Sequence, residues 1–194
     1  MLIGLTGCKG SGKDTVGQHL VDNYDFTRLA FADKMYEAIG NLFDITAEQM
    51  SEFKKDGAQI ILEIPYHNQN MSSGIPLKLL PWCEFLQSFG TAMGRKTFGQ
   101  DFWVQQWEEE LYRNSLAKDR VVATDVCFAN EAYRILHLGG IIAEIRRPGH
   151  EPDGHVFEEP LQNDLIDVYF DNNGTIDQLH NQIDNWITPL LESR

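Results

Sequence analysis

The sequence predicts an α/β fold, a three-layer α/β/α sandwich around a parallel five-stranded sheet. Three observations carry this expectation. Short apolar runs alternate with amphipathic segments along the chain, as repeated βα units require. A glycine-rich turn joins the first apolar run to the first amphipathic segment. No internal repeat or linker divides the 194 residues, a length suited to one α/β domain with a substantial core.

The elements follow in order. Leu2 to Thr6 is an apolar run ending in glycine, the pattern of a buried parallel strand. Val16, His19, Leu20 and Tyr24 recur at helical spacing. Thr27 to Phe31 reads as a second strand, with Met35, Ile39 and Leu42 on a helix behind it. Residues 56–81 mix Gly, Pro, Asn and Ser and read as an irregular, mobile insertion. Trp82, Leu86, Phe89 and Met93 share one helical face, and Trp103, Trp107 and Leu111 share another. Arg120 to Thr124 is a strand ending at Asp125. Ala132, Ile135, Leu136 and Leu138 form a helix closed by Gly139 and Gly140, and the next strand runs to Arg146. Residues 148–165 lack periodicity and read as a surface loop, and Val168 to Phe170 is the last strand. Thr175 and Gln178 form a capping box before Ile176, Leu179, Ile183, Trp186, Ile187 and Leu190.

The totals narrow the function classes. Hydrophobic content of 42% with 23% charged residues describes a soluble globular chain. No stretch of about 18 apolar residues exists, and no basic segment precedes the first strand, so neither membrane span nor signal peptide is expected. Cys8, Cys83 and Cys127 are widely spaced, which suggests free thiols in a reducing, cytoplasmic setting. A formal charge of −13 argues against duplex nucleic acid as a partner, but leaves room for a small anion in a local basic pocket.

The turn at residues 7–15 reads Gly7, four residues, then Gly12 and Lys13, the spacing of a phosphate-binding loop. Backbone N–H groups of such a turn, with the following helix dipole, attract the phosphates of a nucleoside triphosphate. Gly7, Gly10, Ser11, Gly12, Lys13, Asp14 and Thr15 are therefore the candidate ATP-binding residues. Where the pattern expects a hydroxyl on magnesium, this chain has Asp14, and Thr15 comes one residue late. Mg²⁺ keeps its waters readily, so Asp14 and Asp125 are candidates to hold it through water. Asp125, just past an apolar strand, can face ligand or simply cap a helix.

Lys13 followed by a non-hydroxyl residue and then Thr resembles small-molecule kinases of the nucleoside monophosphate kinase superfamily. The ordered set "SGKDT", "LAFADKM", "LQSFGTAMGRKTFGQDFWVQQW", "VVATDVCFANEAYRILHLGG", "IRRPGHEPDGHVFEE" and "DNNGTIDQL" is similar to bacteriophage deoxynucleoside monophosphate kinases over nearly the whole chain. The resemblance implies ATP·Mg²⁺-dependent phosphorylation of a deoxynucleoside monophosphate to the diphosphate. It divides the domain into a core (1–32, 119–147 and 165–194), a helical acceptor-binding region (33–118) and a lid (147–164). It also makes a homodimer an alternative to a monomer.

Roles follow from chemistry and from the resemblance together. Arg95 lies in the region that binds the acceptor monophosphate in the related kinases, and a guanidinium fork suits phosphate. With Lys96 it can equally be a surface basic pair. Lys34 and Arg134 are acceptor candidates with the same surface alternative, and Gln87, Trp103 and Trp107 are candidates for base contact, with core burial the alternative for the two tryptophans. Arg146 and Arg147 open the lid and can place cations over the migrating phosphoryl group, alongside Lys13 and Asp125. The resemblance puts Asn172, Gly174 and Thr175 beside the adenine of ATP. His150, Glu151, Asp153, His155 and Glu158 fit no zinc spacing.

Three positions depart from the family pattern: Cys127 stands where arginine is usual, and Ala92 and Phe157 replace Glu and Ser. They leave two alternatives open. One is a kinase of another acceptor, such as dephospho-coenzyme A, phosphomevalonate or a modified DNA base. The other is a nucleotide-binding regulatory protein without turnover.

Overall fold

The computed structural model describes residues 1–55, 59–62, 78–115, 120–149 and 161–192. In chain order the elements are β1 (Leu2–Thr6), α1 (Lys13–Tyr24), β2 (Thr27–Arg28), α2 (Asp33–Phe43), α3 (Ala47–Lys55), β3 (Gln59–Leu62), β4 (Lys78–Pro81) and α4 (Trp82–Ser88). A π-helical segment (Phe89–Arg95) leads into α5 (Lys96–Phe98), then α6 (Phe102–Ser115), β5 (Val121–Ala123), α7 (Ala129–His137) and β6 (Ile141–Arg146). A 3₁₀ turn (Asn163–Leu165), β7 (Val168–Asp171) and α8 (Ile176–Glu192) complete the chain. Two compact units result, Met1–Lys34 with Val104–Arg194, and Met35–Trp103.

The first unit is the parallel sheet, in the order β2-β5-β1-β6-β7. β1 is central, with Ile3 beside Val122 of β5 and Ile141 of β6. Because strand side chains alternate, the sheet feeds two separate apolar clusters. Ile3, Leu5, Val122, Ala143, Ile145 and Phe170 pack with Val16 and Leu20 of α1 and Leu179, Ile183 and Ile187 of α8. Val121, Ala123 and Ile142 pack on the opposite face with Val104, Trp107 and Leu111 of α6 and Ala132 and Ile135 of α7. Helices on both faces of a parallel sheet give the expected three layers.

β2 is shorter than the expected strand over residues 27–31. Leu29 N still donates to Val122 O at 2.9 Å, but beyond it the backbone turns to side-chain acceptors. Ala30 N donates to Asp33 at 2.8 Å, and Phe31 N and Ala32 N donate to Asp125 at 2.8 and 3.0 Å. Carboxylates therefore replace the ladder and close a turn into α2.

The second unit packs Ile39 of α2, Met50 of α3, and Trp82, Phe85 and Leu86 of α4. Within the stretch expected to be irregular, β3 and β4 form an antiparallel pair, Ile60 opposite Leu80. Residues 56–58 and 63–77 lie outside the described residues, as do residues 150–160 of the segment 147–164 expected to form a lid. The single helix expected from Trp82 to Met93 changes to π-helix at Phe89. Gly94 leaves no room for a β-carbon against the Trp103 indole, whose N–H donates to Gly90 O at 2.8 Å. That tertiary fit accompanies the wider turn.

Candidate active site

The loop after β1 wraps its own lysine. Lys13 Nζ donates to Gly7 O at 2.5 Å and Cys8 O at 2.8 Å, holding the ammonium inside the turn. Two glycines are required by space. Gly7 (φ 132°) lies against the Ile145 carbonyl, and a β-carbon at Gly12 (φ 110°) would fall 2.6 Å from Asn172 Nδ2. Ser11 is 1% exposed, and no described residue bonds its Oγ. An unpaired buried hydroxyl costs about 1–3 kcal/mol. In a glycine-rich turn ahead of a helix, that hydroxyl fits a phosphate oxygen. α1 starts at Lys13, with Asp14 exposed in its first turn.

The ends of β6 and β7 frame the same loop. Arg147 Nη1 donates to Gly10 O at 3.2 Å, and Asn172 Nδ2 donates to Ser11 O at 2.8 Å. Asn172 N also bonds Arg146 O at 2.7 Å. Arg146 itself turns elsewhere: it pairs with Glu144 at 2.8 Å and lies 3.8 Å over the Tyr169 ring. The two arginines expected to open a lid thus separate: Arg147 bonds the loop and Arg146 pairs with Glu144. The expected capping box is present: Thr175 N donates to Gln178 Oε1 at 2.9 Å, and Gln178 N to Thr175 Oγ1 at 3.2 Å. A β-carbon at Gly174 would collide with that Gln178 amide.

Past β5, Asp125 spends both carboxylate oxygens on the Phe31 and Ala32 amides. Burial pushes its carboxyl above the ordinary aspartate range, against the opposing pull of those two N–H groups. The same corner holds Arg28, whose Nε donates to Thr124 Oγ1 at 3.2 Å and whose Nη1 reaches both Asp33 oxygens at 3.1 and 3.2 Å. Glu131, only 3% exposed, accepts from Cys127 N at 2.9 Å and Phe128 N at 3.1 Å, fixing the entry to α7.

The remaining expected residues are placed as follows. Arg134 forms a two-point pair with Glu108, its Nε at 2.9 Å from Oε2 and its Nη2 on Oε1. That hydrogen bond holds the Glu108 carboxyl below its usual range, against the effect of burial. Lys34 lies 3.3 Å from Glu110. In the second unit Trp103 is buried with its indole N–H on Gly90 O, Gln87 is on α4, and Arg95 ends the π-helical segment, partly buried. Among the described residues, no group of three or more His, Cys, Asp or Glu is arranged to hold a metal directly.

The family model for deoxynucleotide monophosphate kinase matches residues 80–183. A protein of Acanthamoeba polyphaga mimivirus, named "Putative deoxynucleotide monophosphate kinase", is 32% identical over 194 residues, covering 94% of each chain. The chain belongs to the deoxynucleotide monophosphate kinase family. It is a nucleotide kinase, an enzyme that moves a phosphoryl group onto a deoxynucleoside monophosphate. Two solved structures align at lower similarity. They are an unliganded sugar kinase from Janibacter sp. HTCC2649 (TM-score 0.47, 13% identity, 96% of this chain and 94% of that one) and a shikimate kinase from Bacteroides thetaiotaomicron (0.45, 10%, 97% and 98%).

For this kinase, sequence reasoning passed over Arg28, Glu108 and Glu131. Glu131 carried a signal, since it stands at the third position of α7, where an acidic side chain reaches back to the preceding amides. Arg28 and Glu108 carried none, because their partners lie on other elements.

Proposed function

We propose that the kinase transfers the γ-phosphoryl group of ATP to the phosphate of a deoxynucleoside monophosphate, at the loop formed by Gly7, Gly10, Ser11, Gly12, Lys13, Asp14 and Thr15. The observation that carries this reading is the Lys13 ammonium held inside the turn by two carbonyls, in the same loop as a buried Ser11 hydroxyl that no described residue bonds. A phosphate offers Lys13 a charged acceptor in place of neutral ones, and charge-assisted bonds are roughly twice as strong. The loop amides and Lys13 would then neutralise charge on the transferring group.

An oxygen of the acceptor phosphate attacks the γ-phosphorus, the bond to the ADP oxygen breaks, and ADP leaves with that electron pair. The acceptor is already anionic near neutral pH, so no strong general base is required. Arg147, beside Gly10, is the lid cation of this reading, and Arg95 is the acceptor-phosphate ligand. Arg146 and Arg134 are given supporting places, because each is paired with a glutamate. Mg²⁺, when bound with the nucleotide, would neutralise charge on the phosphates and would be held through water by Asp14 and Asp125. Asp14, exposed at the first turn of α1, fits a hold through water; Asp125 retains further lone pairs for the same purpose.

The test is an ADP-release assay with ATP and each common deoxynucleoside monophosphate. Turnover with at least one supports the reading. ATP binding without turnover on any of them would favour a regulatory protein.

A further inference from the structure

We infer that Asn172 is a positioning residue that sets the phosphate loop, acting on the Ser11 carbonyl rather than on the base of the donor. This rests on the loop being the donor site proposed above. Three contacts converge on it. Asn172 Nδ2 donates to Ser11 O at 2.8 Å, and the same nitrogen lies 2.6 Å from where a β-carbon of Gly12 would be. Its backbone N–H is spent on Arg146 O at 2.7 Å, which ties the turn to the end of β6.

The consequence follows from peptide geometry. In a trans peptide the carbonyl and the N–H point in opposite directions. Holding the Ser11 carbonyl toward the β7–α8 turn therefore aims the Gly12 N–H away from that turn, into the loop that receives phosphate. The turn is rigid enough to act as a fixed point. Thr175 and Gln178 cap α8, and Gln182 Nε2 donates to Asp171 O at 3.0 Å while Asp171 N donates back to Gln182 Oε1 at 3.3 Å. With one of its two amide hydrogens on Ser11, the Asn172 side chain shapes the loop for any phosphate chain, whatever base it carries.

The experiment is calorimetric binding of ATP and of inorganic tripolyphosphate to the full chain and to Asn172→Ala and Asn172→Leu, the second keeping the approximate side-chain shape without the donor. Backbone ¹⁵N–¹H spectra of the Gly12 amide are recorded alongside. Removing one such bond is expected to weaken both ligands by the same factor, about five- to tenfold. The Gly12 amide should shift in the unliganded variants, while the melting temperature changes little. Loss of ATP affinity with unchanged tripolyphosphate affinity, or an unmoved Gly12 amide, would overturn the proposal and return Asn172 to a base contact. If the unsubstituted protein binds neither ligand, the donor-site reading itself fails, an outcome distinct from either of these.

Discussion

Cations at the phosphate loop and cations at the β5–α6 side of the sheet are held in opposite ways. Lys13 and Arg147 rest on backbone carbonyls of Gly7, Cys8 and Gly10. Arg134, Lys34 and Arg28 rest on the carboxylates of Glu108, Glu110 and Asp33. A carbonyl competes weakly for a cation against a phosphate, so the loop cations can pass to a ligand at small expense. A carboxylate is a charged rival, and a two-point guanidinium pair adds fixed geometry. On the proposed reading the first region can receive an anion, whereas the second braces helices against the sheet edge.

Lys13→Ala should break the contrast most severely. It should lower kcat by at least about tenfold, ~1.4 kcal/mol in the barrier. The circular dichroism melt should move little, because the side chain points into the loop. A variant keeping most of its kcat would remove Lys13 from the chemistry.

Arg95→Ala comes next. On the proposed reading Arg95 binds the acceptor phosphate, while Cys127 cannot donate a forked pair and Arg134 is engaged by Glu108. The KM for the monophosphate should rise at least about tenfold, and Cys127→Arg should change it only a few-fold. A large gain from Cys127→Arg with indifference to Arg95→Ala would describe a weakened kinase instead.

If Arg147 is the lid cation proposed above, Arg147→Ala should lower kcat about tenfold while ATP affinity changes by less than about threefold, since such a cation acts mainly in the transition state. Equal losses of affinity and kcat/KM with kcat unchanged would make it a ground-state ligand only.

The smallest effect is on stability. Glu108 has a depressed carboxyl, so its pair with Arg134 contributes fully above the unfolded pKa of about 4.3 and fades as pH falls through the lower folded value. Glu108→Gln should cost about 1 kcal/mol at pH 7, measured by urea unfolding, with the gap narrowing toward pH 3. A gap independent of pH would show that packing, not charge, joins α6 to α7. Turnover should be little altered, in keeping with a brace.

The contrast also explains what the sequence discloses. The loop is local: Gly7, Gly12 and Lys13 lie within one turn, and strand and helix flank them directly. The Thr175 and Gln178 cap of α8 is local too, and both were legible. A matching box starts α3, with Thr46 and Gln49 exchanging bonds of 2.8 and 3.3 Å, and that signal was present in the sequence but not taken up. The rest depends on partners distant along the chain. Asp125 shortens β2 by capturing amides 93 and 94 residues away, and Glu108 engages Arg134 across 26 residues. Trp103 settles against Gly90 and Gly94, where the helix widens to π. No periodicity encodes such pairings, so Arg134 and Lys34 read as surface or acceptor cations.

The most direct measurement is a crystal structure of the kinase with ADP. The account predicts that Lys13 Nζ leaves the Gly7 and Cys8 carbonyls for a phosphate oxygen, while the Arg134–Glu108 and Lys34–Glu110 pairs stay closed. ADP bound with Lys13 still on its carbonyls, or with Arg134 drawn from Glu108 onto the nucleotide, would contradict it.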